Sequence, residues 1–81
     1  MPYIKQEVRP GIDAWLMLIP KVLNYGQINY IITQILLMTR PSCYEEYNAL
    51  IGVLECAKQE FYRRWVAPYE DKKREINGDI W

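Results

Sequence analysis

Histidine is absent from this 81-residue chain, serine occurs once, and no glycine-rich phosphate loop is present. Each absence removes a class of chemistry. Without histidine there is no Ser/His or Cys/His nucleophile pair, no imidazole acid–base group and none of the commonest zinc or haem ligands. Ser42 has no base beside it, so no nucleophile comes with an activator. Net charge is missing too, because ten basic residues offset ten acidic ones. A neutral chain has no overall field to draw in nucleic acid or an anionic membrane, so any anion site is a local patch and duplex nucleic acid is not an expected partner. The two cysteines, Cys43 and Cys56, fit no CxxC motif. About three and a half helical turns would separate them on one helix, too far for a disulfide, and they are expected as reduced, buried thiols. The opening MPYIKQEVRP has no apolar signal region, and AWLMLIP is too short to span a bilayer, so a soluble cytoplasmic protein is expected, with no membrane partner.

What the chain does have is hydrophobicity, at 51% of its residues, enough for a core and too much for disorder. The stretch 27–40, QINYIITQILLMTR, carries most of the argument. Ile28, Ile31, Ile32 and Ile35 make one helical stripe, and Leu36, Leu37 and Met38 extend it onto the flanks. A helix that is apolar nearly all round must be covered nearly all round, and a single small domain has few elements with which to do it. The expectation is an all-α, three-helix chain with a long third helix, self-associating into an oligomeric helical bundle, most simply a homodimer.

The element boundaries follow from prolines and caps. Residues 1–10, between Pro2 and Pro10, read as an extended arm pinned by Tyr3 and Ile4. A first helix is expected over about 10–19, with Trp15, Leu16, Leu18 and Ile19 on its apolar face and Pro20 closing it. Val22 and Leu23 are expected to cap the core, and Asn24-Tyr25-Gly26 reads as a turn. The second helix covers about 27–39, up to the Arg40-Pro41-Ser42 break. Ser42 and Glu45 have capping-box spacing for a third helix over about 43–67. Tyr47, Leu50, Leu54, Ala57, Phe61 and Trp65 give that helix a near-heptad seam. Pro68 should end or bend it, leaving a tail over 68–81 with a short helical piece to about Ile76 and the apolar pair Ile80 and Trp81 at its end.

The side of the third helix away from the seam holds the candidate site. Asn48, Gly52, Glu55, Gln59 and Tyr62 follow a 4-3-4-3 rhythm and share one face, with Arg63 beside it. These are groups that make directed hydrogen bonds, unlike a solvating lysine–glutamate face. Gly52 would let a backbone or a flat ligand approach closely. Asn29, Thr33 and Arg40 form a thinner polar line on the second helix. Three readings stand: a hydrogen-bond network that sets helix register, a ligand groove, or a wholly solvated face. A second cluster, Tyr62, Arg63, Arg64, Trp65 and, after the break, Tyr69, Lys72, Lys73 and Arg74, could stack a base and hold phosphate, although Glu60, Glu70, Asp71 and Glu75 cancel much of its field and a charged, solvated helix end is the plainer reading. Glu45, Glu46, Glu55 and Glu60 on the third helix form no paired i, i+3 or i+4 set of the sort a helical Mg²⁺ hydrolase needs, and the first two helices supply only Asp13. No metal, cofactor or catalytic residue is therefore expected.

The segments YIKQE (3–7), INYIIT (28–33), YNALIGVLECAKQEFYRR (47–64), APYEDKK (67–73) and NGD (77–79) together resemble a family of short prokaryotic and phage proteins with no established activity. The family's motif positions include Asn29, Asn48, Gly52, Glu55, Arg63 and Tyr69, which overlap the polar lines. The resemblance implies a prokaryotic or phage setting, with the host cytoplasm as location if phage-encoded, and transfers no catalytic residue. The lead expectation is a non-enzymatic oligomer that acts by binding. In a phage it would be a counter-defence protein sequestering a nucleotide-like signalling ligand. Tyr62 or Tyr69 would stack that ligand, Arg63 or Arg64 would hold phosphate, and Asn48, Glu55 and Gln59 would read its polar edges. The alternatives are a protein–protein interaction module or inhibitor of a host protein, working through Trp15, Trp65 and Trp81, and a nucleotide-processing enzyme.

Overall fold

Short helices broken at proline and cap signals follow one another along the chain, and the last is the longest. The computed structural model describes all residues 1–81 and is all-α, with three helices. A 3₁₀ turn over Gln6–Val8 runs straight into α1, Arg9–Leu16. Arg9 donates from Nε and Nη2 to the Ile4 carbonyl at 3.1 and 2.7 Å, tying the start of the chain to the helix. Non-helical backbone is therefore confined to residues 1–5, because Pro10 fits the first turn of α1 and lets the helix begin before it. At its other end α1 stops at Leu16, short of the expected Ile19. Pro20 disfavours helical geometry at Ile19, so the chain closes with the tight bonds Leu18 N–H to Trp15 O (3.0 Å) and Ile19 N–H to Leu16 O (3.1 Å).

α2 spans Tyr25–Met38. Asn24, expected in a turn, is its N-cap: the Asn24 side chain accepts from the Gln27 N–H at 2.8 Å, and the Gln27 side chain accepts from the Asn24 N–H at 3.0 Å. This reciprocal pair starts the helix two residues earlier than hydrophobic pattern alone suggests. Asn24→Ala is expected to lower unfolding stability by about 1 kcal/mol in a chemical denaturation series. An unchanged midpoint would mean that the cap contributes nothing.

The break after α2 is where the sequence places it. Arg40 takes a left-handed conformation, φ 51°, since the residue before a proline avoids the right-handed helical region. Its N–H still reaches the Leu37 carbonyl at 3.1 Å, and the Thr39 hydroxyl donates to the Leu36 carbonyl at 2.7 Å.

α3 spans Tyr44–Phe61 and starts one residue later than expected, so Cys43 and not Ser42 precedes it. The third helical residue is then Glu46, and its carboxylate, not that of Glu45, accepts from the Ser42 N–H at 2.8 Å. Pro68 does not end the helix. A π turn over Tyr62–Val66 leads directly into α4, Ala67–Asn77, and the whole run is 34 residues long. The Ala67 N–H bonds back five residues to the Tyr62 carbonyl. The wider turn makes room for a proline ring that would strike the carbonyl four residues earlier in a regular α-helix, and for an absent donor. Most of the expected tail is thus helix. Gly78 closes it with its N–H on the Arg74 carbonyl at 2.9 Å, at φ 90° and ψ 155°, a conformation open in practice to glycine alone.

The chain divides into two units, Tyr3–Leu50, and Ile51–Trp81 together with Met1–Pro2. Neither contains a buried side chain. In the first unit Ile12, Ile19, Leu23, Ile31, Leu36 and Leu50 are half-buried, while Trp15, Leu16, Leu18 and Val22 are exposed. The expected apolar face of the first helix and the cap at Val22 are therefore not covered within the chain. In the second unit Leu54 and Cys56 are half-buried, and Phe61 and Trp65 are exposed. Val66, the last residue of the π turn, and Ala67 after it are half-buried. Of the expected seam only Leu50 and Leu54 are half-buried, while Tyr47, Ala57, Phe61 and Trp65 are exposed, so the near-heptad line is not covered as a whole. Cys43 is exposed and both thiols are free, so neither is the fully buried thiol expected. No helix is long and apolar enough to cross a membrane.

Candidate functional site

The polar line on α2 is tied up locally. The Thr33 hydroxyl donates to the Asn29 carbonyl at 2.8 Å and to the Asn29 side-chain oxygen at 3.3 Å. A threonine in mid-helix satisfies itself in this way when no other acceptor is offered. Arg40 belongs to the same unit and lies beyond the end of the helix, so its left-handed backbone takes it out of the helical line. Asn48 is exposed on the first part of α3.

In the unit Ile51–Trp81 the candidate residues separate into three groups. The first centres on Glu55. It accepts from Gln59 at 3.3 Å and pairs with Lys58 at 3.0 Å, so its carboxyl is held below the usual glutamate range by the Lys58 bond first and the Gln59 amide second. A Cβ built on Gly52 would meet nothing within 4 Å, so the space in front of that glycine is open.

The second group centres on Glu60, which the sequence offered as one of the acids offsetting the basic cluster. Its carboxylate accepts from Arg63 Nη2 at 2.8 and 3.1 Å and from Arg64 Nε at 2.9 Å. Glu60 retains 22% side-chain exposure against about 60% for each arginine. The i, i+3 and i, i+4 spacing makes this geometry natural to a helix. Both arginines that would hold a phosphate therefore already carry a carboxylate.

The third group lies across the π turn. The Tyr62 hydroxyl donates to the Glu70 carboxylate, eight residues on. In an uninterrupted α-helix residues eight apart point about 80° away from each other. The extra residue of the π turn takes up that angle and brings the two onto one face. No helical periodicity read from sequence pairs them. Tyr69 lies on α4 with Lys73 Nζ 5.8 Å from its ring centre. Both line an open hollow of about 590 Å³ whose other walls include Glu70, Asp71, Arg74, Asp79 and Trp81. Tyr69 is thus grouped with Lys73 and the C-terminal residues, and Glu70, the partner of Tyr62, lines the same hollow.

No three acidic or cysteine side chains converge as a metal site would require. Chemically, the arrangement offers hydrogen-bond acceptors at Glu55, a guanidinium pair at Arg63 and Arg64, and an aromatic face at Tyr69.

No curated protein and no solved structure matches the chain. The sequence model of the family described as Domain of unknown function (DUF6899) matches residues 1–80, and the chain therefore belongs to that family.

Proposed function

We propose that the protein is a non-enzymatic helical homo-oligomer that works by binding, and that the polar side of its third helix is the ligand face. One observation supports this most directly: not a single side chain is buried within the lone chain, although α2 is apolar around most of its circumference. Half-burial of a few isoleucines and leucines does not offset the chain entropy lost on ordering 81 residues, whereas copies of the chain can cover the rest. The ligand is nucleotide-like. Tyr69, beside Lys73, offers a stacking face; Arg63 and Arg64 exchange Glu60 for phosphate; Glu55 and Gln59 read polar edges. In a phage such a binder would withdraw a signalling nucleotide from its host. Light scattering of the full chain at tens of micromolar, with calorimetric titration of cyclic and linear nucleotides, tests both parts. A folded monomer would overturn the oligomer, and no heat up to millimolar nucleotide would overturn the ligand.

A second reading has its own support. Trp15 and Trp65 are each 73% exposed and Trp81 is fully so, and exposed tryptophans are the commonest anchors of protein interfaces. Capture of a stoichiometric protein partner, without any nucleotide heat, would favour that reading.

A further inference from the structure

Within the unit Tyr3–Leu50, α2 turns an unbroken heptad line outward. Tyr25, Ile28, Ile32, Ile35 and Thr39 follow steps of three, four, three and four, and all five are exposed. The three isoleucines retain 40%, 42% and 56% exposure. Ile31, Gln34 and Leu36, off that line, are the half-buried ones. We infer that this line is the seam along which one copy of the chain docks on a second copy, α2 against α2. The inference rests on the self-association proposed above and assigns it a surface.

Three features select a second copy over any other occupant. First, α2 carries no Asp, Glu, Lys or Arg, and the positions flanking the line (Asn29, Ile31, Leu36 and Met38) are uncharged. Flanking charges are what direct a helix to a different partner, so this seam holds no code for one. The chain's zero net charge adds no long-range repulsion between copies. Second, the N-cap amides and the threonine hydroxyls of α2 are satisfied internally. Asn24 and Gln27 cap each other, Thr33 bonds Asn29, and the Thr39 hydroxyl bonds the Leu36 carbonyl. Covering the seam with apolar side chains therefore strands none of these groups. Third, Ile32 is the midpoint of the line, with two members on either side. A two-fold axis through Ile32 sets Ile32 against its own copy whether the helices run parallel or antiparallel. The seam is about 21 Å long, and 3.5-residue spacing suits a shallow crossing of about 20°. The exposed side chain of Met38, at a flanking position, widens the strip beyond the line itself.

The test uses the full chain. Ile32→Glu puts a carboxylate opposite its own copy, and association should weaken roughly a hundredfold or more while far-UV circular dichroism keeps its helical signal. A second variant guards against misfolding. In a Cys43→Ser, Cys56→Ser background, Ile32→Cys should form a disulfide-linked dimer under mild oxidation, and Glu45→Cys should not. An oligomer whose mass survives Ile32→Glu and whose Ile32→Cys variant fails to cross-link would overturn this surface while leaving self-association intact. A wild-type chain that stays monomeric would overturn both.

Discussion

Pro68→Ala is expected to stabilise the chain by about 1–3 kcal/mol and to erase the coupling between Tyr62 and Glu70. The substitution restores a backbone donor aimed at the Arg64 carbonyl and removes the ring that forces the wide turn over Tyr62–Val66. Once the turn relaxes to α-helix, everything from Tyr69 onward rotates by about 100°, one residue's worth. Tyr62 and Glu70, bonded across the π turn, then point apart. Two measurements check this. A denaturation series should show the gain, and a double-mutant cycle with Tyr62→Phe and Glu70→Gln should show an interaction energy in the natural chain that vanishes in the Pro68→Ala background. Persistence of that energy would mean that some other feature sets the π turn.

Glu60→Gln carries the second large effect. The carboxylate serves two guanidinium groups, from Arg63 Nη2 and Arg64 Nε, and is the less exposed partner of both. An uncharged amide cannot replace it, because it offers one acceptor where the carboxylate offers two and loses the charge assistance. The loss should be about 1.5 kcal/mol, less than two full charge-assisted bonds because the arginines are well solvated. The same change separates the functional readings. If Arg63 and Arg64 hold phosphate, they no longer exchange a carboxylate to do so, and nucleotide affinity rises by about tenfold. If the cluster serves only the helix, stability falls and no nucleotide binding appears. Calorimetry and thermal melting of one preparation read both outcomes.

Both predictions concern the third helix, where sequence and structure diverge most. The hydrophobic steps from Tyr47 to Phe61 announce a helix, and Glu60 with Arg64 can be read as a pair from spacing alone. Trp65 looks like the next member of the seam, yet it is exposed, as Phe61 before it already is. From Tyr62 onward the divergence comes from a single proline. From sequence it reads as a stop, and its neighbours turn it into a change of phase by spreading its cost over a π turn. Phase is a cumulative property, so one inserted residue displaces every later assignment. The Tyr62–Glu70 bond could not be read from periodicity for that reason, whereas Tyr69 and Lys73, four residues apart within α4, keep a spacing the sequence does show.

By itself the sequence determined that the chain is helical, that the break after α2 falls at Arg40–Pro41, and that α2 is apolar around most of its circumference. These properties depend on proline geometry, periodicity and transfer energies, each acting over a few residues. Only the structure decided which acid caps α3, how Pro68 is absorbed, and that Arg63 and Arg64 share one carboxylate. Those choices turn on differences of about a kilocalorie between competing partners within reach, Glu46 against Glu45 or an inserted turn against a broken helix, and a linear pattern does not rank them.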